Sequence, residues 1–310
     1  MYRIKLLRNN MLWAFLIALT ATMNVSCQVK NSTTDDIEDL SEATLGDKSG
    51  ESLVEERKYR LPNIDLSHWK VTLPVGKPDE VEPPEILNYA TNAELKNYMY
   101  NDSTDGSLVF YAFPNSTTTN TKYSRCELRE QMVPGDNNVN WTFPQGGTMK
   151  GTLAMDEVTK DPEGKYHKVI IMQIHGRLTN AQKELIGAKD NNAPPVLKIY
   201  WDKGYVRVKT KELKDKSASD TDILHTDAWG DDEGYTFPDY VGFKKFTLEV
   251  KVKEGKLTVV MNNRDYKTYD NVSIRRWKVF ENYFKAGNYF QSKEKYSYAK
   301  VKYYDLEVSH

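Results

Sequence analysis

The sequence predicts an all-β domain in which two antiparallel sheets form a β-sandwich or jelly roll. Short runs with β-type alternation dominate the chain from residue 107 onward, and polar turns separate them. Helical periodicity is scarce, and residues 92–100 form the clearest helical segment, with Thr91 or Asn92 as its N-cap. Many short strands joined by polar turns are typical of sandwich and jelly-roll folds.

The predicted strands follow one another at short intervals. They are residues 107–113, 123–131, 148–155, 168–175, 196–201, 205–211, 245–253, 256–262 and 299–308. Lys-Glu-Gly-Lys at 253–256 and Asp-Lys-Gly at 202–204 each predict a tight hairpin. Two longer irregular segments, residues 180–195 and 218–239, are expected to wall or cover a groove, because long loops in compact domains are often functional.

The start of the chain is predicted to be a secretory signal peptide. Residues 1–10 carry three basic residues and no acid, and a mostly apolar stretch follows from Met11 to Met23. This order of a basic region, an apolar region and small residues is typical of signal peptides, here residues 1–26. The apolar stretch is shorter than the ~20 residues that a membrane-spanning helix needs.

Residues 25–27, Val-Ser-Cys, resemble a bacterial lipobox, although Asn24 stands where that motif prefers Leu. Cys27 is therefore the predicted lipidation site. It would anchor the protein at the outer membrane or cell surface, with simple secretion as the alternative. Residues 27–58 are rich in Ser, Thr, Asp, Glu and Lys and predict a flexible tether. Residues 59–310 remain as one domain.

Composition limits the classes of partner. The formal net charge is −1, and residues 1–26 hold three Lys or Arg and no acid, which leaves 40 basic against 44 acidic residues in the mature part. This balance argues against a nucleic-acid-binding protein, so an acidic ligand must meet a few well-placed cations.

The chain has two cysteines. If Cys27 is acylated, Cys126 has no disulfide partner. A monomer is expected.

Three segments carry polar side chains at every second position, which places them on one face of a strand about 6.5–7 Å apart. These side chains are Arg125, Glu127 and Arg129 in the first segment, Gln173 and His175 in the second, and Tyr289 and Gln291 in the third. Plainer explanations exist for each alone: a surface ion-pair ladder, a surface histidine and a core tyrosine.

Alternation also predicts which side chains face the core. In the first segment these are Cys126 and Leu128. In the second segment Val169 and Ile171 are expected on the face of Gln173, and the apolar set on the other face packs against the partner sheet. That apolar set is Ile170, Met172 and Ile174.

The sequence lacks the residue patterns of metal sites, nucleophile-elbow hydrolases and retaining glycosidases. The chain has no pair of histidines at ligand spacing, no cysteine cluster and no calcium-loop pattern, so no metal is predicted. The nucleophile-elbow pattern G-x-S-x-G does not occur. Glu127 and Glu130 should lie on opposite faces of their strand, so they do not form the carboxylate pair that retaining glycosidases use.

Together the three segments resemble the motifs of the polysaccharide lyase family 7 alginate lyases. The family patterns are R-[S/T/N]-E-L-R, Q-[I/V]-H and Y-F-K-A-G-x-Y-x-Q. This chain has Arg-Cys-Glu-Leu-Arg at 125–129, Gln-Ile-His at 173–175 and the last motif in full at 283–291. Cys126 is the one departure. Residues 65–74 also resemble the first strand of that domain, and the resemblance extends from about residue 62 to 308.

The resemblance implies a jelly roll with a long open groove on its concave sheet and β-elimination on 1,4-linked uronates, without metal or organic cofactor. Arg125 and Gln173 would neutralise the uronate carboxylate, which stabilises the enolate-like transition state. His175 would remove the C5 proton. Tyr289 would protonate the departing O4, or act as both acid and base.

The same resemblance implies a set of substrate-binding residues. Arg129 and Lys285 would bind the substrate as cations, and Gln291 would supply a polar contact. Glu127 would orient the two arginines.

The central residue of Gln-Ile-His bears on the substrate. In this family isoleucine tends to accompany activity on guluronate-containing stretches and valine tends to accompany mannuronate preference, so Ile174 favours guluronate-rich or mixed alginate. Two alternatives remain open: a non-catalytic surface module that captures acidic polysaccharide, and a lyase of another polyuronate such as glucuronan. A capture module has no need of His175 and Tyr289 together, whereas C5 elimination uses the same groups on any uronate.

Overall fold

A computed structural model describes residues 60–118 and 121–310. The predicted signal peptide, Cys27 and the tether lie outside the described residues. Within them strands dominate and helices are short, so the predicted all-β class is confirmed. Across these same residues, no helix is long and apolar enough to cross a membrane.

The strands are numbered in chain order. They are β1 (Asn63–Ile64), β2 (Trp69–Thr72), β3 (Glu80–Val81), β4 (Met99–Asp102), β5 (Ser107–Ala112), β6 (Arg125–Glu130), β7 (Trp141–Thr142), β8 (Gly147–Val158), β9 (Val169–Arg177), β10 (Asn192–Asp202), β11 (Tyr205–Leu213), β12 (Trp229–Asp231), β13 (Tyr235–Tyr240), β14 (Phe246–Lys253), β15 (Lys256–Met261), β16 (Asp265–Tyr269), β17 (Glu281–Phe290) and β18 (Ala299–Ser309). The helices are α1 (Asn180–Leu185), α2 (Val272–Arg276) and 3₁₀ turns at Glu85–Asn88, Leu95–Asn97, Asp222–Leu224, Thr226–Ala228 and Trp277–Val279.

These strands form two sheets. One has the order β16-β15-β14-β8-β18-β5-β4, with β1 beside β18. The other has the order β12-β11-β10-β9-β17-β6-β2-β3, with β13 beside β11 and β7 beside β17. We call the second the motif sheet, because its adjacent strands β9, β17 and β6 carry the three sequence motifs. The pairing is antiparallel apart from β1 with β18. The predicted sandwich of two antiparallel sheets is confirmed.

The core lies between the two sheets and includes the predicted core side chains Cys126 and Leu128. The rings of Phe110 on β5 and Tyr303 on β18 meet edge to face at 5.5 Å. The Tyr303 hydroxyl crosses to the motif sheet, where it donates to the Ile171 carbonyl and accepts from the Gly287 N–H at 3.3 Å. These two bonds fix β9 and β17 against the opposite sheet beside the motif residues.

The predicted helix at 92–100 forms only in part. Asn92 does act as a cap, since its Oδ1 accepts from the backbone N–H groups of Glu94 and Leu95. Only a 3₁₀ turn follows, and Met99 and Tyr100 belong to β4, which pairs with β5. Residues 99 and 100 pair with β5 instead of continuing a helix, because a short isolated helix has little intrinsic stability.

The alternation expected in β9 breaks at a β-bulge. Ile171 and Met172 both belong to the core cluster between the sheets, whereas Ile170 is buried outside that cluster and pairs with Tyr289. The pairing with β10 shifts by one residue at the same place. A bulge adds one residue and changes which side chains share a face, so the face predicted for Val169, Ile170 and Ile171 was wrong. Gln173, Ile174 and His175, beyond the bulge, keep their predicted alternation.

Both long segments contain regular structure. Residues 180–195 hold α1, which begins with a Thr179 capping box, and the start of β10. Residues 218–239 hold two 3₁₀ turns, β12 and most of β13. The first segment alone contributes, at 190–192, to the cavity over the motif strands; among the described residues none from 218–239 lines that cavity.

Candidate active site

The three motifs meet because β6, β17 and β9 are neighbours. Lys285 on β17 lies opposite Arg129 on β6 and opposite Gln173 on β9. In the same way Tyr289 lies opposite Arg125, and His175 lies opposite Tyr283. Residues that face each other across antiparallel strands project to the same side of the sheet. Side chains up to 164 positions apart in the sequence therefore share one surface.

Gly287 in the third motif permits this close pairing. Its φ is +132°, a conformation that favours glycine. A Cβ at this position would lie 2.8 Å from the Cys126 carbonyl oxygen and 3.0 Å from the Cα of Glu127. A side chain here would push β17 away from β6 and separate Tyr289 from Arg125.

Glu127 lies buried at the centre of the motif residues, with 1% of its side chain exposed. One carboxylate oxygen accepts from Gln173 Nε2 at 2.6 Å, and the other pairs with Lys285 Nζ. The second oxygen also lies 3.9 Å from Arg125 Nε. Burial lowers the pKa of Lys285 to about 8, against the attraction of Glu127. The carboxylate thus holds one side chain from each of the three strands.

Arg129 is held by other partners. Its guanidinium donates to the Glu130 carbonyl at 2.6 Å, to the Asn137 carbonyl at 3.0 Å and to Asn140 Oδ1 at 2.9 Å. The expectation that Glu127 orients both arginines was wrong, because among the described contacts Glu127 meets Arg125 and the loop at 137–140 holds Arg129. The register explains this: Arg129 lies one step further along β6, beside that loop.

His175 has a defined hydrogen-bonding state. Its Nδ1 lies 2.9 Å from the Gly176 carbonyl oxygen, which can only accept, so Nδ1 carries the proton. Nε2 is the basic nitrogen and has no hydrogen-bond partner among the described residues. Burial lowers the pKa of His175 to about 3, and the positive charges of Lys285, Arg125 and Arg129 contribute. The imidazole is therefore neutral at physiological pH.

Tyr289 stands at the other end of the motif surface. Its ring meets that of Tyr123 at 6.4 Å and lies 5.8 Å from the Arg125 guanidinium carbon. Burial and the charge of Glu127 raise the pKa of the Tyr289 phenol. Gln291 follows the strand and donates to the Tyr289 carbonyl at 3.1 Å, so its described contact is with the backbone of Tyr289.

A cavity of about 260 Å³ lies over this surface and is strongly cationic. Five basic and two acidic side chains line it, together with polar and aromatic groups. The lining residues are Lys70, Thr72, Glu80, Arg125, Arg129, Asn137, Arg177, Asp190, Asn191, Asn192, Tyr283 and Lys285. A second cavity shares Glu80 and Arg125 and continues towards Lys77 and Thr118. The two form a groove along the motif sheet.

Sequence reasoning missed several groove residues. Arg177 follows His175 by two positions on β9 and so faces the same side; its Nη1 donates to Glu281 Oε2 at 2.7 Å. Lys70 lies opposite Arg129 on β2 and pairs with Glu80. Alternation identifies Arg177 once β9 is extended by two residues. Lys70 needs the pairing of β2 with β6, which no local pattern shows.

In residues 60–118 and 121–310, no three or more His, Cys, Asp or Glu side chains are arranged to hold a metal ion.

Comparison with known families fits this arrangement of motif strands. The family model for alginate lyases, Alginate_lyase2, matches residues 64–310. The chain belongs to the alginate lyase family. The match covers all three motif strands and both sheets, so the site described above lies entirely within the family domain.

Individual alginate lyases show the same likeness. A curated alginate lyase from Klebsiella pneumoniae is 30% identical over 137 residues, which are 36% of this chain and 44% of that relative's length. The match thus spans less than half of the relative. The crystal structure of a family 7 alginate lyase, A1-II′, in complex with the substrate GGMG is 30% identical, with a TM-score of 0.62 over 80% of this chain and 94% of that chain.

A more distant structure supports the fold alone. The Klebsiella pneumoniae alginate lyase structure is 22% identical, with a TM-score of 0.59 over 80% of this chain and 97% of that chain. The jelly roll is thus shared across alginate lyases whose sequences have diverged widely.

Proposed function

We propose that this protein is an alginate lyase that cleaves 1,4-linked uronate chains by β-elimination and leaves 4,5-unsaturated ends. The observation that carries the proposal is the placement of a neutral histidine with a free Nε2 and a tyrosine phenol on one surface with Arg125. The cationic cavity beside them is lined by Arg125 and by Tyr283, the residue opposite His175. This set supplies a base, an acid and a counter-charge for the substrate carboxylate.

Arg125 and Gln173 neutralise the carboxylate next to C5. The buried Nε of Arg125 has no hydrogen-bond partner among the described residues, and Arg125 lines both cavities. Gln173 donates one amide hydrogen to Glu127, and its second amide hydrogen has no partner in the part of the chain that the structure describes. Hydrogen bonds to the carboxylate stabilise the negative charge that moves onto it when C5 loses its proton.

Proton transfer then completes the elimination. His175 Nε2 takes the C5 proton, the C5–H electrons form the C4=C5 double bond, and the C4–O4 bond breaks. Tyr289 gives its phenolic proton to the departing O4, or serves as both base and acid where proton and leaving group lie on the same side. An anionic uronate beside His175 offsets the neighbouring cations, so substrate binding raises the pKa of the base.

Substrate choice is proposed to lean towards guluronate-rich or mixed alginate, on the basis of Ile174 in Gln-Ile-His. Ile174 is buried in the core. Its influence on the groove is therefore indirect, through the packing beneath Gln173 and His175.

The test of function is a substrate panel. Polyguluronate, polymannuronate and glucuronan are each mixed with the purified full chain, and the ultraviolet absorbance of unsaturated ends is followed. The fastest rise is expected with polyguluronate. A fastest rise with glucuronan would favour a lyase of another polyuronate. Binding in calorimetry without any absorbance change would favour the capture module.

Tyr289→Phe is expected to lower kcat by about 10²–10⁴-fold, because it removes the proton donor for O4 and keeps the ring. The control is Tyr296→Phe, at a tyrosine that is 83% exposed, and it is expected to match the wild type. Initial rates on polyguluronate measure both. Wild-type kcat in Tyr289→Phe would remove this tyrosine from the chemistry.

The pH profile is expected to depart from that of an ordinary histidine. Because the pKa of His175 is about 3, the base stays neutral through the usual histidine value of about 6.5. The kcat/KM profile, which reports the free enzyme, is expected to show no acid-side inflection near that value. As the pH is lowered, kcat is expected to begin to fall at a higher pH than kcat/KM does, because bound substrate raises the pKa of His175. An inflection of kcat/KM near 6.5 contradicts this account.

Export is proposed from the N-terminal sequence, with lipidation at Cys27 and secretion as the alternative. The measurement is labelling with a radioactive fatty acid, with Cys27→Ser as the control. Equal labelling of both proteins would contradict lipidation at this position.

A further inference from the structure

Tyr283 contacts both the predicted base and a groove arginine. Its ring is stacked on the His175 imidazole, with 5.2 Å between the centroids and 14° between the planes. The Arg129 guanidinium carbon lies 4.2 Å from the centroid of the same ring. His175 comes from β9 and Arg129 from β6, on the two sides of β17. A guanidinium, a phenol and an imidazole therefore form one stack across three strands.

This stack is anchored at both ends. Arg129 is fixed by the carbonyls of Glu130 and Asn137 and by Asn140 Oδ1. His175 is fixed by its Nδ1 hydrogen bond to the Gly176 carbonyl. A single hydrogen bond leaves an imidazole free to tilt about that bond, and a stacked ring removes this freedom. The Arg129 guanidinium in turn holds the Tyr283 ring by a cation–π contact.

We propose that Tyr283 is a positioning residue for His175: its ring holds the imidazole plane and the Nδ1–H tautomer, so that Nε2 faces the groove. The proposal rests on the proposed lyase function for its kinetic consequences only. It also assigns Arg129 a different main task from substrate binding, because the residue is 7% exposed and its two terminal nitrogens donate three hydrogen bonds within the protein. Arg129 supports the stack from the side of the loop at 137–140.

The charged groups around the imidazole fit this arrangement. Arg125 and Arg129 on β6 and Lys285 on β17 face it with positive charge, which opposes protonation. On β10 the residue opposite His175 is Pro195, which carries no charge. Loss of the Tyr283 ring would admit water to the imidazole and relieve its desolvation, the largest of these effects.

The alternative is that Tyr283 serves the substrate through its hydroxyl, since the residue also lines the cavity. Two substitutions separate these roles. Tyr283→Phe keeps the ring and removes the hydroxyl, whereas Tyr283→Leu removes the ring and keeps an apolar side chain.

The kinetic test compares the two variants on polyguluronate. Tyr283→Leu is expected to lower kcat by roughly 10–100-fold with a smaller change in KM, because a misplaced base affects the chemical step. It is also expected to gain an acid-side inflection of kcat/KM close to the ordinary histidine value of about 6.5. Tyr283→Phe should keep the wild-type pH profile and lose much less kcat. Equal loss in both variants, or an unchanged pH profile in Tyr283→Leu, would overturn the proposal.

A second measurement needs no substrate and no variant of Tyr283. Nitrogen-15 spectra of the full chain distinguish the two neutral tautomers of each of the five histidines, and His175→Asn assigns the signal. The wild type is expected to show His175 as the neutral Nδ1–H tautomer at pH 7, with ring protons shifted upfield by the stacked phenol. An imidazolium, an Nε2–H tautomer or unshifted ring protons would refute the stack, even if Tyr283→Leu does not fold.

These measurements distinguish failure of the lyase proposal from failure of the positioning proposal for Tyr283. If none of the polymers is cleaved but the tautomer and ring shift are found, the positioning role stands and the lyase proposal fails. If polyguluronate is cleaved but the wild type lacks the expected tautomer and ring shift, or Tyr283→Leu keeps the wild-type pH profile, the positioning proposal fails alone.

Discussion

Replacing His175 with alanine is expected to lower kcat on polyguluronate by about 10²–10⁴-fold, the usual contribution of a general base. Among the described histidines only His175 lies on a motif strand, because His68, His167, His225 and His310 lie outside β6, β9 and β17. The loss should appear in kcat more than in KM, since Arg125, Lys285 and the other cations remain to bind the polymer.

The matched control for His175 is His225→Ala. His225 is exposed and lies between two 3₁₀ turns, so its removal should leave the rate as in the wild type. Initial rates from ultraviolet absorbance, with a thermal melt of each variant, give the comparison. A His175→Ala protein that folds and cleaves at the wild-type rate would show that another group removes the C5 proton.

Glu127→Gln is expected to lower the free energy of unfolding by about 3 kcal/mol, because it leaves Lys285 buried without its counter-charge. Activity should fall as well, since Gln173 and Arg125 lose the carboxylate beside them. Urea unfolding followed by circular dichroism measures the stability. The control is Glu249→Gln, whose partner Lys251 is at 2.8 Å but about half exposed. This surface pair is expected to contribute no more than about 1 kcal/mol.

The double variant Glu127→Gln with Lys285→Met separates stability from activity. Removing the unpaired charge should restore most of the lost stability, because an apolar side chain of similar length tolerates burial. Activity should stay low. If the double variant is no more stable than Glu127→Gln alone, the unpaired charge of Lys285 is not the cause of the lost stability.

Much of the motif surface could be predicted because β-strands alternate. Arg125, Glu127 and Arg129 are spaced by two, and so are Gln173 and His175, and the structure places each set on one face. The prediction failed at the β9 bulge, where one extra residue changes the alternation. The bulge lies in a run of apolar residues, and no residue type in that run indicates its position. It failed again at Met99 and Tyr100, where sheet pairing overrides a helical pattern.

Local sequence patterns were enough to predict the all-β class, most of the strands, the family of the chain and, away from the β9 bulge, the side chains that share each face. These properties depend on local alternation and short motifs, which are readable along one strand. The three-dimensional structure was needed to show that Glu127 pairs with Lys285, 158 positions away, and that Tyr283 lies stacked between Arg129 and His175. Such contacts depend on which strands become neighbours and in which register, and both are set by the packing of two whole sheets.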